Sequence, residues 1–209
     1  MLAVVDMKVG NMQSVLEGFA RVGAEVRVAA DARDLESADA IVVPGVGAFG
    51  DGMASLERQG LAAVIRREVL ERSKPILGIC LGMQLLADES EEHGIHKGLG
   101  LVPGKVVRLH PTGTHHRVPN MGWCDVSPAA GSSVLFRAGM KTFYFVHSYY
   151  LECSQPADVA ATIEYGSRIT AAIERGHVFG VQFHPEKSQE AGLDLLDAFN
   201  RHVHRCVPV

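Results

Sequence analysis

The sequence has no long apolar run and no cluster of basic residues. Its uninterrupted apolar stretches, such as residues 2–5 and 41–43, are far shorter than the roughly 20 residues that a helix needs to cross a bilayer. A formal net charge of −4 without a local Lys/Arg run gives no electrostatic footprint for nucleic acid. Met1 leads directly into a strand-like segment, without the basic region and cleavage site of a signal peptide. We therefore expect a cytoplasmic protein that binds neither membranes nor nucleic acid.

Cysteine is scarce, and the four cysteines are widely spaced, without a CxxC pair. This spacing fits neither a zinc framework nor a dense set of disulfides, so we expect reduced thiols, one of which could be a nucleophile. The ten histidines include three close pairs in loops or in a helix tail, without convergent cysteine or carboxylate spacing: His93 and His96, His115 and His116, His202 and His204. We predict neither a metal site nor a cofactor.

The first half of the chain alternates strand and helix signals. Apolar segments at residues 2–5, 25–29, 40–44 and 74–79 read as strands, and the stretches after residue 11 and after residue 60 keep helical spacing. Strands that are apolar throughout and alternate with helices predict a parallel sheet with both faces covered.

The second half changes character. Between residues 102 and 183 the segments are short, β-branched or aromatic, and separated by Gly, Pro and Ser, which predicts added antiparallel strands at residues 141–150, 159–165, 169–175 and 178–183. A final helix is expected from about Ser188. The predicted fold is a three-layer α/β domain over residues 1–209, with a mostly parallel central sheet, helices on both faces and an added antiparallel strand set.

Residues 78–82, with the sequence Gly-Ile-Cys-Leu-Gly, lie between a predicted strand and a predicted helix. This is the nucleophile-elbow pattern, with cysteine in place of serine. A sharp strand-to-helix turn needs glycines, because flanking Cβ atoms would clash, and it holds the central side chain in a strained, exposed position. The helix dipole would favour a thiolate at Cys80, and the amide of Leu81 would bind an oxyanion. The alternative is a structural cysteine beside a tight turn.

A base for Cys80 can be found in His184-Pro185-Glu186, which follows an apolar strand and precedes the last helix. Strand periodicity would place His184 and Glu186 on the same side. Histidine can accept a thiol proton and later protonate the leaving amine, and a carboxylate can fix its orientation. The alternative is a solvated histidine at a strand end and a glutamate at a helix start.

Residues 45–50 match the GxGxxG pattern of dinucleotide-binding turns. The context does not fit, because this is not the first strand-to-helix turn and the residues about 20 positions further on end a helix. We interpret the segment as a flexible loop whose amides, at Val46 and Gly47, face the elbow and complete an oxyanion hole.

Taken together, residues 44–47, 74–84 and 184–186 resemble the class I (triad-type) glutamine amidotransferases, and more narrowly the glutaminase subunits of imidazole glycerol phosphate synthases. Supporting segments at residues 11–15, 49–53, 121–123, 144–149 and 183–188 extend the resemblance over nearly the whole chain. It implies that Cys80 attacks the side-chain amide of L-glutamine and forms a thioester, with His184 as acid/base and Glu186 as its orienter. It also implies a substrate pocket formed by Gly47, Gln84, Glu92, Ser148 and Tyr149.

The same resemblance implies a partner, the cyclase subunit, a (β/α)8 barrel that forms a heterodimer with the glutaminase and receives its ammonia. The positions that match its interface are Asn11, Trp123, Tyr144 and Lys187. The family would also keep glutaminase activity low until the partner holds its ribonucleotide. This chain departs from the family at two places, which we expect near that face rather than near the triad: Met7-Lys8 stand where the family usually has Tyr-Gly, and Cys124, after the tryptophan, stands where it usually has Asn.

Three alternatives to this reading stay open on the sequence. The chain could be a paralogous glutaminase that supplies another amination, such as that of a sugar, which the departures at Lys8 and Cys124 permit. It could be a non-catalytic scaffold subunit, although the intact Cys80, His184 and Glu186 argue against that. A cysteine peptidase of similar fold would not need the pocket residues Gln84 and Glu92.

Overall fold

The computed structural model describes residues 1–8, 12–112, 116–131, 133–136 and 141–206. Asn11, the predicted helix start and interface residue, lies outside the described residues, as does His115. The strands are β1 (Leu2–Val5), β2 (Val26–Ala29), β3 (Ala40–Gly45), β4 (Ile76–Cys80), β5 (Ala87–Ser90), β6 (His96–Lys97), β7 (Val102–Arg108), β8 (Asn120–Pro128), β9 (Lys141–His147), β10 (Tyr149–Cys153), β11 (Val159–Glu164), β12 (Arg168–Arg175) and β13 (Val178–Val181). The helices are α1 (Met12–Arg21), α2 (Ala32–Ser37), α3 (Phe49–Arg58), α4 (Leu61–Leu70), α5 (Leu81–Leu85) and α6 (Gln189–Cys206).

A nine-stranded sheet in the order β2-β1-β3-β4-β13-β12-β11-β8-β9 forms the centre of the described chain. The strands from β2 to β13 run parallel to one another, and the remaining strands continue the sheet in antiparallel pairs. Strands β1, β3, β4 and β13 are buried along their whole length, as expected for a parallel sheet covered on both faces. The predicted α/β fold with an added antiparallel set is confirmed.

One strand direction differs from the prediction. Residues 178–183 were expected among the antiparallel strands, but β13 is parallel to β4 on one side and antiparallel only to β12 on the other. The segment is buried at every position, and an apolar run alone does not indicate strand direction. The strand also ends at Val181, two residues earlier than expected.

Two apolar cores lie on opposite faces of the large sheet. Side chains of α1 and α6, including Phe19 and Phe199, pack in one core, whereas α2, α3 and α4 contribute Leu35, Phe49 and Ile65 to the other. These cores account for the predicted helical layers, because each helix buries its apolar stripe against the sheet.

A second, four-stranded sheet in the order β10-β7-β5-β6 was not predicted. The helix after the elbow is short, because α5 ends at Leu85 and β5 begins at Ala87. This short helix brings β5 and the loop after it back towards the elbow, where Glu92 contributes to the cavity described below.

Candidate active site

The elbow glycines are required by close packing. The backbone at Cys80 is strained, with φ of 53° and ψ of −110°, at the junction of β4 and α5. A Cβ atom on Gly82 would lie 1.6 Å from the carbonyl oxygen of Val43, and one on Gly78 would lie 2.6 Å from the carbonyl oxygen of Gly82. Neither position can accept a side chain, so the turn can hold Cys80 in this conformation only with glycine on both sides.

His184 and Glu186 form a buried pair behind the nucleophile. The Nδ1 atom of His184 lies 2.7 Å from Oε1 of Glu186, and their side chains are 1% and 0% exposed. The pair does not follow strand periodicity as predicted. His184 precedes a 3-10 turn at Pro185–Lys187, and this turn curls Glu186 back onto the imidazole.

The protonation of His184 depends on its two neighbours. Burial alone would lower the pKa of His184, but hydrogen bonds and charge interactions with Cys80 and Glu186 raise this pKa to about 9. The imidazole is therefore protonated at neutral pH. An imidazolium beside a cysteine supports a thiolate nucleophile and provides a proton for a leaving amine.

A cavity of about 240 Å³ opens at Cys80. It brings together all the residues predicted for the oxyanion hole and for substrate binding, and it adds Pro119, Val146 and His147, which the sequence did not indicate. Its lining consists of Val46, Gly47, Cys80, Leu81, Gln84, Glu92, Pro119, Val146, His147, Ser148 and Tyr149. The cavity suits one small polar molecule rather than a polymer.

The glycine loop is held at both ends. Gly47 has a φ of +105°, in the region that favours glycine. A Cβ atom at this position would have no neighbouring atom within 4 Å. A Cβ on Gly45 would lie 2.2 Å from Cε of Met7, so the start of the loop rests directly on that side chain. At the other end, the Phe49 amide donates a hydrogen bond of 2.7 Å to Oε2 of Glu92.

The last glycine of the GxGxxG pattern has a packing role. Gly50 already belongs to α3, and a Cβ there would lie 2.9 Å from the His96 ring. The glycine therefore makes room for a histidine of β6. This contact gives the pattern a structural explanation that involves no nucleotide.

His147 forms a neutral, hydrogen-bonded part of the cavity wall. Its Nδ1 lies 2.9 Å from the carbonyl oxygen of Tyr149, and its Nε2 lies 3.1 Å from Nδ2 of Asn120. A carbonyl oxygen can only accept, so Nδ1 carries the proton and Nε2 accepts from the Asn120 amide. Burial lowers the pKa of His147 to about 4, which keeps the ring neutral at neutral pH.

Trp123, Tyr144 and Lys187, the predicted interface residues that the structure describes, lie on the β8–β9 strand pair and in the turn that carries Glu186. Trp123 is 49% exposed, stands opposite Tyr144 in the β8–β9 pair and contacts its ring edge-on at a centroid distance of 5.9 Å. Lys187 is exposed in the 3-10 turn beside Glu186. Met121, 63% exposed, stands opposite the cavity residue Val146. We call the surface formed by Met121, Trp123, Tyr144 and Lys187 the tryptophan face.

Of the residues that depart from the family pattern, Met7 and Cys124 lie at inner positions. Met7 is buried beneath Gly45, and only Lys8, which pairs with Asp6 at 2.6 Å, is exposed. Cys124 is half-buried against the core, and its thiol lies 3.7 Å from Oδ1 of Asn120. Cys124 therefore contacts Asn120, the residue that hydrogen-bonds His147 in the cavity wall, rather than the tryptophan face.

Three further observations on the described residues concern the thiols, metal ligands and membrane-spanning helices. All four cysteines are free thiols. The described residues contain no group of three or more His, Cys, Asp or Glu side chains arranged to hold a metal ion. No helix among them combines the length and apolar character needed to span a membrane.

A strained cysteine that opens into a small cavity with polar groups on its wall, with a buried His–Glu pair beside it, is suited to covalent acyl transfer from a small amide. The fold and the site thus point to the class of cysteine-dependent amide hydrolases. The family model for glutamine amidotransferase class-I matches residues 3–202, and the chain belongs to that family. It is therefore an enzyme that hydrolyses glutamine and transfers ammonia.

Within this family, the chain is similar to proteins that share one name, imidazole glycerol phosphate synthase subunit HisH. The chain is 48% identical over 200 residues to imidazole glycerol phosphate synthase subunit HisH of Methanothermobacter thermautotrophicus, and the match covers 95% of this chain and 97% of the relative. HisH of Moorella thermoacetica is also 48% identical, over 205 residues that cover 97% of this chain and 95% of the relative.

The fold recurs in more distant proteins. The structure of PurLQS from Thermotoga maritima superposes with a TM-score of 0.75 at 20% identity, covering 96% of this chain and 97% of that one. A crystal structure of a glutamine amidotransferase gives a TM-score of 0.74 at 22% identity, covering 94% and 98%. At sequence identities of 20% and 22%, the structural agreement shows only that the fold is shared.

Proposed function

We propose that this chain, acting as one domain over residues 1–209, is the glutaminase subunit of an imidazole glycerol phosphate synthase. It hydrolyses L-glutamine to glutamate and ammonia. The ammonia passes to a cyclase subunit, a (β/α)8 barrel, which forms imidazole glycerol phosphate and AICAR. The observation that carries the proposal is the cavity at Cys80, which is lined by the residues predicted for the oxyanion hole and the substrate pocket, in a chain that is similar to HisH subunits.

The geometry supports a two-step reaction. The Cys80 thiolate attacks the side-chain carbonyl carbon of glutamine, and the negative charge that develops on the oxygen is bound by the amides of Leu81 and of Val46 or Gly47. The His184 imidazolium gives its proton to the leaving nitrogen, so ammonia departs and a thioester to Cys80 remains. His184 then takes a proton from water as the water attacks the thioester, and glutamate is released.

The cavity also has complementary groups for the rest of glutamine. Glu92 provides a carboxylate on its wall, which suits the α-ammonium group. Both N–H groups of the Gln84 amide are already used, one for the Tyr149 carbonyl oxygen at 2.8 Å and one for Oε1 of Gln182 at 3.0 Å. A ligand in the cavity therefore meets the oxygen of Gln84, a hydrogen-bond acceptor.

The tryptophan face supports the proposed heterodimer. Its exposed apolar side chains, Met121 and Trp123, lie on the strand pair that forms one wall of the cavity. Exposed aromatic and methionine side chains are enriched at protein interfaces. A partner that covers this face would contact the β9 backbone, whose Tyr144 carbonyl oxygen accepts a hydrogen bond of 2.9 Å from the His184 amide.

The test is ammonia release from glutamine by the wild type and by Cys80→Ala, each alone and with the candidate cyclase and its ribonucleotide. We expect activity that the cyclase–ribonucleotide complex stimulates and that the substitution abolishes. Activity that depends on Cys80 but ignores this cyclase would refute the assigned partner and favour the paralogous glutaminase. Absence of activity under every condition would favour the scaffold.

A further inference from the structure

Gln182 is a fully buried amide that touches the nucleophile, and no part of the mechanism above uses it. Its side chain is 0% exposed, and its Nε2 lies 3.7 Å from Sγ of Cys80, within the range of an N–H to sulfur hydrogen bond. The residue lies just after β13, two positions before His184. A buried polar side chain with a donor directed at a reacting sulfur calls for a functional explanation.

The hydrogen-bond network fixes which end of the Gln182 amide faces the sulfur. The carbonyl oxygen of Tyr149 can only accept, so the Gln84 group 2.8 Å from it must be the NH₂ group. The second N–H of Gln84 then donates to Oε1 of Gln182 at 3.0 Å. With its oxygen engaged in this way, the Gln182 amide must direct its NH₂ group at Cys80.

The network therefore connects a backbone carbonyl of the cavity wall to the nucleophile through two side-chain amides. Besides its interaction with His184, the sulfur contacts the carbonyl oxygen of Val146 at 3.9 Å, which can accept from a thiol but cannot stabilise a thiolate. The N–H of Gln182 acts in the opposite sense. Its hydrogen bond to the sulfur becomes stronger when the sulfur is an anion, so it favours the thiolate.

We propose that Gln182 is a positioning residue of the nucleophile: its N–H, oriented through Gln84 by the Tyr149 carbonyl, donates to Sγ of Cys80, favours the thiolate and holds the sulfur towards the cavity. This inference rests on Cys80 being the nucleophile of the proposed function. It assigns the amide a role in forming the attacking species rather than in binding glutamine.

The test measures thiolate formation directly and needs no glutamine. The rate of alkylation by iodoacetamide is followed against pH on the Cys80 peptide by mass spectrometry, which separates it from the other three cysteines. In Gln182→Met, which removes the donor at similar volume, the midpoint of the profile is expected to rise by about one pH unit, as for loss of one hydrogen bond to a charged group. In Gln182→Glu it is expected to rise further, because a carboxylate opposes a neighbouring thiolate.

Gln59→Met is the matched control. Gln59 is also a hydrogen-bonded amide, with Nε2 3.0 Å from the carbonyl oxygen of Asp6, but it does not line the cavity. Its alkylation profile should match that of the wild type. The kcat for glutamine should fall about tenfold in Gln182→Met and stay unchanged in Gln59→Met.

A wild-type alkylation profile in folded Gln182→Met would overturn the inference. A shift in Gln182→Met without one in Gln182→Glu, which keeps the shape of the side chain, would also overturn it, since it would indicate lost packing rather than a lost donor. If Gln182→Glu does not fold, the Met variant alone decides. Ammonia release that survives in Cys80→Ala would instead refute the nucleophile, and thereby the proposed function, whatever the behaviour of Gln182.

Discussion

Glu92 contacts two parts of the site at once. Its carboxylate lines the cavity, and its Oε2 accepts the hydrogen bond from the Phe49 amide, the first residue of α3 after the glycine loop. The residue before that helix is Ala48, whose side chain cannot cap it, so a residue distant in sequence satisfies this helix N-terminus. Glu92 thereby ties the end of the oxyanion loop to the wall of the cavity.

This double contact predicts different effects for two substitutions of Glu92. Glu92→Gln keeps an acceptor for the Phe49 amide but loses the charge, whereas Glu92→Ala loses both. With glutamine, both variants should raise KM. With glutaramic acid, an amide without the α-ammonium group, Glu92→Gln should keep the wild-type kcat. Glu92→Ala should lose about tenfold or more, up to the roughly 10²–10³ that removal of an oxyanion donor costs.

The measurement is steady-state ammonia release from both amides by the wild type and the two variants, in the activated complex. Equal kcat values for the two variants on glutaramic acid would show that the bond to Phe49 does not position the loop.

The raised pKa of His184 predicts the alkaline limit of the reaction. Because His184 must give a proton to the leaving nitrogen, kcat/KM should fall as the pH rises through about 9, the pKa of this group. Glu186 helps to raise that pKa, so Glu186→Gln should move the alkaline limb to lower pH, towards the ordinary value of 6.5. A pH–rate profile of each protein measures the shift, and an unmoved limb in a folded Glu186→Gln would contradict the assigned pair.

Sequence patterns indicated some of these residues and missed others for a physical reason. Cys80 and His184 stand in local motifs, an elbow and the start of a turn, whose chemistry can be recognised from neighbouring residues. Gln182 and His147 act through partners 98 and 27 positions away, Gln84 and Asn120. Nothing in a local pattern distinguishes such a side chain from an ordinary buried amide or imidazole.

At the scale of elements, the elbow depends on how closely α5 approaches β3. A Cβ atom on Gly82 would lie 1.6 Å from the carbonyl oxygen of Val43. Alanine at this position would therefore have to push α5 away from the sheet. Gly60, the residue before α4, also has a positive φ of 70°, but nothing lies within 4 Å of its Cβ position. Gly82 is therefore required by close packing, whereas Gly60 is favoured only by its backbone conformation.

We predict that Gly82→Ala destabilises the protein by more than about 4 kcal/mol or prevents folding, because a backbone clash inside the sheet layer cannot relax locally. Gly60→Ala should cost only about 1 kcal/mol, the cost of a left-handed conformation for a side chain. Urea unfolding of both variants measures the difference. Similar losses in the two variants would mean that the α5–β3 contact is more adaptable than the structure indicates.

The elements themselves were predictable to different degrees. Short apolar runs identified β1, β3 and β4, and helical apolar spacing identified α4 and α6. Helix α2 was not predicted, although its Asp31 caps it by accepting from the Arg33 and Asp34 amides. Helix α3 was missed because its first residues belong to the glycine pattern. The second sheet could not be anticipated, since its pairings are set by the short α5 and by contacts distant in sequence.

At the scale of the whole molecule, the two active-site histidines affect stability in opposite directions. The pKa of His184 is raised from 6.5 to about 9, so its stabilising contribution is fully present below pH 6.5 and is lost as the pH rises through 9. The pKa of His147 is lowered from 6.5 to about 4, so the unfolded chain binds more protons between these values, and stability falls as the pH drops from 6.5 towards 4.

These opposing contributions predict a maximum in the free energy of unfolding near pH 6.5, where the contribution of His184 is complete and the cost of His147 has not begun. Urea unfolding of the wild type at pH 5, 6.5 and 9 should show the maximum. His147→Gln should flatten the acid side and leave the alkaline side unchanged, while His184→Gln should do the reverse. His204→Gln, in the exposed end of α6, is the control and should leave the curve unaltered. If the acid side keeps its slope in His147→Gln, the neutral ring of His147 is not the cause of the loss of stability between pH 6.5 and 5.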